Sequence, residues 1–239
     1  MKQTLLVTAL ALMASSANAT DFNQYISAKV ARTRMQNDAF ADFSLDLASS
    51  AIMRGTIADK TLKDNVWGAR IAYGLEKPLP SLSSKIRTEL EYGMNESAKK
   101  SGNFDFQYGT VVTTAQGNFN YKSTIQTVML NAYYDYQLND IFSPYLGAGI
   151  GYAHVKIKAD VYMPLEMWST SYSEQAKDTE GNFAWNISLG TGVKVTDSVS
   201  ADLGYRYTNY GHIKKTNETG RSRYKLDSHE IYLGMRYSF

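Results

Sequence analysis

Eight segments of the chain alternate residue by residue between apolar and polar side chains, and the last, HEIYLGMRYSF over 229–239, keeps the pattern to its final residue. A period of two places successive side chains on opposite faces of a strand. In the last segment Ile231, Leu233, Met235, Tyr237 and Phe239 therefore share one face, and Glu230, Gly234 and Arg236 the other. The same division recurs upstream. Ile26, Ala28 and Val30 oppose Ser27 and Lys29; Trp67, Ala69, Ile71, Tyr73 and Leu75 oppose Gly68, Arg70, Ala72 and Gly74; Ile86, Thr88, Leu90 and Tyr92 oppose Lys85, Arg87, Glu89 and Glu91. Further along, Val128 to Tyr136 opposes Thr127, Asn131 and Asp135, and Leu146 to Tyr152 opposes Gly147, Gly149 and Gly151. Trp185 to Val193 opposes Asn186, Ser188, Gly190 and Lys194, and Val199 to Tyr207 opposes Asp202, Gly204 and Arg206. Each run has about the 9–11 residues that a tilted strand needs to cross hydrocarbon.

The connections sort into two kinds. Those after the second, fourth and sixth segments, EKPLPSLSS, QLNDIFS and TDS, are short; those at about 34–64, 94–123, 157–182 and 208–228 are long. Strict alternation of short and long connections is the pattern of an outer-membrane barrel with short periplasmic turns and long outer loops. The N-terminus agrees. Residues 1–19 carry Lys2, an apolar run from Leu5 to Met13 and small residues at Ala17 and Ala19, which reads as a signal peptide and leaves 20–239 as the barrel. That apolar run is far shorter than the roughly 20 residues of a spanning helix. Cysteine is absent, so neither disulfides nor thiolate metal sites are available. Tyrosine, by contrast, is abundant, as suits the aromatic girdles of a barrel in lipid.

The expected fold is all-β: an eight-stranded antiparallel transmembrane β-barrel with four long extracellular loops. In lipid the apolar face turns outward, so Lys29, Arg70, Arg87, Glu89, Glu91, Asp135, Lys194, Asp202, Arg206, Glu230 and Arg236 face the lumen. Eight strands leave an interior about wide enough for side chains to fill. Ion pairs across the lumen and no wide pore are expected.

The segment YYDYQLNDIFSPYLGAGIGYAHVKIK resembles the opacity proteins, a family of outer-membrane adhesins, in the short turn around Asn139 and Asp140, in Pro144-Tyr145-Leu146-Gly147 and in the Gly-Tyr-Ala-His that ends at His154. The tail resembles them too, through Gly-Tyr-Arg-Tyr at 204–207 and His229-Glu230 ahead of Leu233-Gly234-Met235-Arg236-Tyr237. The likeness covers most of the second half of the mature chain; the first half shares the strand pattern only. It implies variable, adhesive outer loops. The family binds host cell-surface proteins of the carcinoembryonic-antigen-related class, and some members bind heparan sulfate proteoglycans. No contact residue carries over, because the loops match no motif.

Function is therefore sought on the loops. The first mixes Phe40, Phe43, Leu45, Leu47, Ile52 and Met53 with acidic residues and fits a packed loop cluster as well as a contact surface. The third concentrates Tyr162, Met163, Leu165, Met167, Trp168 and Tyr172, residue types enriched in protein interfaces, and these are the candidate contacts to a host protein. The fourth carries Lys214, Lys215, Arg221, Arg223 and Lys225, a candidate site for a sulfated glycan or for the phosphates of lipopolysaccharide. A net charge of +2 points to no partner by itself, and no nucleic acid is expected. Two other readings stay open: a structural or weakly conducting small barrel, and a rim enzyme built on His154, His212 or His229 with Asp227 or Glu230. No local catalytic signature is present, so no enzyme, cofactor or metal is expected.

Overall fold

The computed structural model describes residues 22–48, 51–108, 113–165, 170–217 and 220–239. The expected signal peptide, 1–19, lies outside the described residues. Nine strands follow one another: β1 (Asn23–Ala48), β2 (Ala51–Leu79), β3 (Ser84–Asn95), β4 (Ala98–Tyr108), β5 (Thr113–Tyr136), β6 (Phe142–Leu165), β7 (Thr170–Lys194), β8 (Val199–Asn217) and β9 (Gly220–Ser238). All described pairings are antiparallel, and β1 pairs with β9 from Tyr25–Ser238 to Phe43–Gly220, which closes the ring. Both β3 and β4 pair with β5, one above the other, so they share one position in the wall and the ring has the eight expected positions.

Along the membrane-crossing half the faces fall as the alternation requires. Ile71, Leu146, Leu233 and Met235 point outward with 60% or more of their surface exposed. Lys29, Arg87, Glu89, Glu91, Asp135, Asp202, Arg206, Glu230 and Arg236 are buried inside. Lys194 departs from expectation. It sits at the periplasmic turn, half exposed, and pairs with Asp197 at 2.7 Å rather than reaching the lumen.

Among the described residues five cations and five carboxylates fill the lumen and neutralise each other: Lys29, Arg70, Arg87, Arg206 and Arg236 against Glu89, Glu91, Asp135, Asp202 and Glu230. Glu91 is central. It accepts from Lys29 Nζ at 2.8 Å and from Arg206 Nη1 at 2.6 Å, with Arg70 4.0 Å away. Arg87 grips Asp135 through Nε (2.7 Å) and Nη2 (3.0 Å), the two-point geometry that favours arginine over lysine. Arg70 on β2 donates to Glu230 on β9, reaching across β1, which lies between them. Tyrosines complete the filling, with Tyr145 and Tyr232 hydroxyls 2.8 Å apart and Tyr133 edge-on to Tyr145. Room for Tyr133 comes from Gly147, where an added Cβ would run into the ring. Charged groups and rings thus reach across the interior, as the expected ion pairs across the lumen require.

Beyond the outer membrane surface the structure corrects the expected loops. The connections at 34–64, 94–123, 157–182 and 208–228 are continuations of the strands on either side, paired down to the ends of the described residues. Polarity inverts there without any break in the strand. On β6 the outward series Leu146, Ala148, Ile150, Tyr152 continues as His154, Lys156, Lys158, while the inward glycines give way to Ala153, Val155 and Ile157. On β5, Phe119, Tyr121 and Ile125 turn inward and Lys122 and Thr124 outward. The cause is the solvent: lipid selects apolar side chains on the outside of the wall, and water selects them on the inside.

Among the described residues the β7–β8 ladder runs from Trp185–Asn209 to Lys194–Ser200, and the β2–β4 ladder consists of Arg54–Gln107 and Gly55–Phe106. The projecting part is consequently two four-stranded layers, β4-β5-β6-β7 and β8-β9-β1-β2. Between them lies an apolar core that includes Met35, Val66, Phe104, Phe106, Ile125, Val155, Met163, Tyr210 and Leu226. Tyr121 and Tyr224 stack across the layers at 6.3 Å. Burial pushes the Tyr121 phenol well above the usual tyrosine range, so it stays neutral.

Candidate functional site

In the layer β8-β9-β1-β2 the phase of β8 at the outer surface is set by a bulge, and β1 and β2 shift register as well, at Ala39/Ala41. Asn209 pairs with Asp227, but the next described pair is His212 with Lys225, so β8 carries an extra residue at Tyr210–Gly211. Gly211 takes a positive φ of 82, in the left-handed region. That conformation costs a residue with a side chain roughly 1–2 kcal/mol. The bulge shifts the phase of β8. Tyr210 stays in the core, bonded to Ser228 Oγ at 2.9 Å, and His212 and Lys214 turn outward beside Lys225 and Arg223. Without the extra residue Lys215 would take that face. Gly211→Ala is accordingly expected to lower stability by about 1–2 kcal/mol. It should also loosen the outer half of β8, read as faster amide exchange above Asn209 than below it.

Lys214, Arg223 and Lys225 line an open groove of ≈ 600 Å³ with Asp38, Phe40, Thr61 and His212. Arg221 is exposed one step further out, in register with Asp42 of β1. Asp38 accepts a hydrogen bond from Thr61 Oγ1 at 2.8 Å and places one carboxylate against the cations. Four of the five fourth-loop cations therefore share one face; Lys215 lies in β8, with its side chain outside the described residues. Of the β1 contribution, Phe40 was named in the first loop without being joined to these cations, and Asp38 was not singled out. The signal was available, since both continue the outward phase of Ile26, Ala28 and Val30.

The third-loop candidates divide. Tyr162 is outward and 44% exposed. Met163 is buried at 3% in the core between the layers, which removes it from any contact surface. Met167 and Trp168 lie outside the described residues, as do the side chains of Leu165 and Tyr172.

At the membrane rim His229 Nδ1 is 2.6 Å from the Tyr205 hydroxyl, and its ring meets Tyr207, which meets Trp185 at 5.6 Å. Arg32 stacks on Trp67 at 5.3 Å. These contacts form an aromatic girdle. Glu230 points the other way, into the lumen toward Arg70, so the adjacent His229 and Glu230 cannot act as a pair. His212 faces the groove and His154 the outer wall of β6. Among the described residues no group of three or more His, Asp or Glu side chains is placed to hold a metal ion.

A closed ring with a lipid-facing apolar belt, aromatic girdles and a neutralised polar lumen defines an integral outer-membrane β-barrel. The chain matches the outer membrane protein beta-barrel domain over residues 4–239 and belongs to that family. It is 30% identical over 195 residues to outer membrane protein PagN of Salmonella typhimurium strain LT2, an alignment covering 77% of this chain and 77% of that protein. Identity to opacity protein opA60 of Neisseria gonorrhoeae is 32% over 133 residues, 48% of this chain and 52% of that protein, so the alignment spans about half the opacity protein's length. Among solved structures it is similar to Neisserial surface protein A, with 19% identity, a TM-score of 0.43, and coverage of 90% of this chain and 97% of that chain. The resemblance to opacity proteins is thereby borne out, and the chain is an outer-membrane surface protein of that type.

Proposed function

We propose that the projecting two-layer body is the adhesive part of this opacity-type surface protein, and that it engages a host cell-surface protein or a sulfated glycan. One observation carries the reading: the strands continue far beyond the girdle and fold there around an apolar core of their own. β6 alone runs on from Tyr152 at the rim to its end at Leu165. At the rise of an extended strand that stretch is about 40 Å long. A barrel that only spans the membrane has no use for such a body. Held rigidly by its core, it presents surfaces that need little ordering on binding, which favours affinity.

For a sulfated glycan the groove of Lys214, Arg223 and Lys225 supplies the charge-assisted donors, with Phe40 as an apolar floor. Charge reversal of Lys214 and Arg223 to Glu is expected to weaken heparin binding about tenfold or more and to flatten its salt dependence. Unchanged binding would remove the groove from the site. The adhesive role itself is tested in a non-adherent bacterium expressing the protein, with the ends of the four hairpins removed singly and together. Adhesion is expected to fall with at least one removal, and adhesion that survives all four would overturn the proposal.

A further inference from the structure

The second layer, β4-β5-β6-β7, carries a feature of its own. Lys99 pairs with Lys122, Lys122 with Lys158, and Lys158 with Lys177, so one lysine from each of four adjacent strands stands in a single transverse row. All four are exposed. Lys156, two residues nearer the membrane on β6, is exposed on the same face, opposite Thr124 and Thr179. Neighbouring strands are about 4.8 Å apart, so the row packs four positive charges into roughly 15 Å. Like charges directly opposite one another on a sheet destabilise it. Asp160, the next acidic residue outward on β6, is bonded to Gln175, and Asp64 accepts from the Lys99 backbone N–H rather than from its ammonium group. The other layer differs, because its cations face Asp38 and Asp42.

We infer that this row is a lateral binding site for the phosphate groups of lipopolysaccharide. Three observations select that occupant. The lysines continue the same outward wall that carries Val128, Leu130, Ile150, Tyr152 and Phe183 in lipid, so they face whatever stands above the neighbouring acyl chains. Their height fits as well. Lys156 and Lys158 follow Tyr152 closely on β6, which at barrel tilt places them about 10–15 Å above the girdle. That is the level of a lipopolysaccharide's phosphorylated inner sugars, and a lysine arm can reach down from it. Third, the repulsion within the row is relieved by a polyanion held alongside, and the outer leaflet supplies one at every point of the barrel's circumference. The row takes the place that divalent cations otherwise hold between adjacent lipopolysaccharide phosphates and binds the barrel to its lipid annulus.

The test uses the full-length protein refolded in detergent, with purified lipopolysaccharide, the same lipopolysaccharide stripped of its phosphates, and heparin as probes. Lys99, Lys122, Lys158 and Lys177 are changed together to Gln, and a comparison variant carries Lys214→Gln and Arg223→Gln. At low salt the fourfold variant is expected to bind phosphorylated lipopolysaccharide at least about tenfold more weakly than the wild type, since each lysine lost removes a favourable contact with the anionic surface. The comparison variant should bind it unchanged, and the wild type should bind the dephosphorylated form as weakly as the fourfold variant binds the intact one. Undiminished binding by the fourfold variant, equal loss in both variants, or a loss confined to heparin would overturn the inference. Heat-modifiable migration of each variant on gels reports that the barrel has folded. The outcome is independent of the adhesion assay, which tests the projecting body.

Discussion

Replacing Glu91 with alanine is expected to lower the unfolding free energy of the barrel by about 3–5 kcal/mol, the range seen when one member of a buried ionic network is removed. Glu91 is buried at 1% and holds Lys29 and Arg206 by short hydrogen bonds. Its loss leaves Lys29 with Glu89 alone, and Arg206 with Glu230 3.9 Å away as its nearest remaining carboxylate. Among the described luminal groups five cations then face four carboxylates, and burial keeps the excess charge from being solvated. Glu91→Gln keeps the shape and removes the charge, so it should cost nearly as much. By contrast Ile71→Ala on the lipid face should cost far less, because acyl chains fill the space that the side chain leaves. Urea unfolding of protein refolded into vesicles, followed by tryptophan fluorescence, gives the midpoints. Equal midpoints for wild type and Glu91→Ala would mean that the network contributes nothing.

Phe106→Ala should produce a loss of similar size in a different place. Phe106 is 1% exposed, lies in register with Gly55 and Ala115, and packs against Phe104 at 6.1 Å between the two outer layers. Truncating a buried phenylalanine costs about 3–5 kcal/mol through lost burial and the cavity left behind. The layers are bridged above the membrane by few backbone pairs, so the cost falls on the projecting body. The expected phenotype is a barrel that still migrates as folded but whose outer hairpins are cut by protease at a concentration the wild type resists. Adhesion should fall with it, since a loosened body must be ordered on binding. If hairpins and barrel lose protection together, the two halves unfold as one unit.

How much of this was legible in the sequence depends on which solvent each residue meets. Strand identity, the outward series from Ile231 to Phe239 and the inward Arg70, Arg87, Glu91 and Arg206 all followed from alternation. The long connections did not, because alternation was read as a membrane signal and stopped where its apolar phase stopped. In YAHVKIK the pattern continues with the phase reversed, Val155 and Ile157 now inward and Lys156 and Lys158 outward, and that reversal is the trace of the boundary between lipid and water. Met163 looked like a contact residue for the same reason and proved to be core. The bulge at Gly211 was visible as a glycine inside a strand pattern, yet its effect on Lys214 and Lys215 depends on the pairing with β9. Lys99, Lys122, Lys158 and Lys177 are far apart in the chain and form a row only through strand register.

The sequence by itself determined that this chain crosses a membrane as a closed ring of strands, because a period-two pattern with charges on one face and aliphatic and aromatic residues on the other is stable in lipid only when the charges are enclosed. It determined the turns at the periplasmic end and the likeness to opacity proteins as well. The tertiary structure alone decided which carboxylate each luminal cation meets, that the outer segments are a two-layer body with its own core, and which surface cations stand together. Those outcomes depend on register between strands distant in sequence. A shift of one residue there exchanges the faces of a whole strand, so neither composition nor local pattern can specify them.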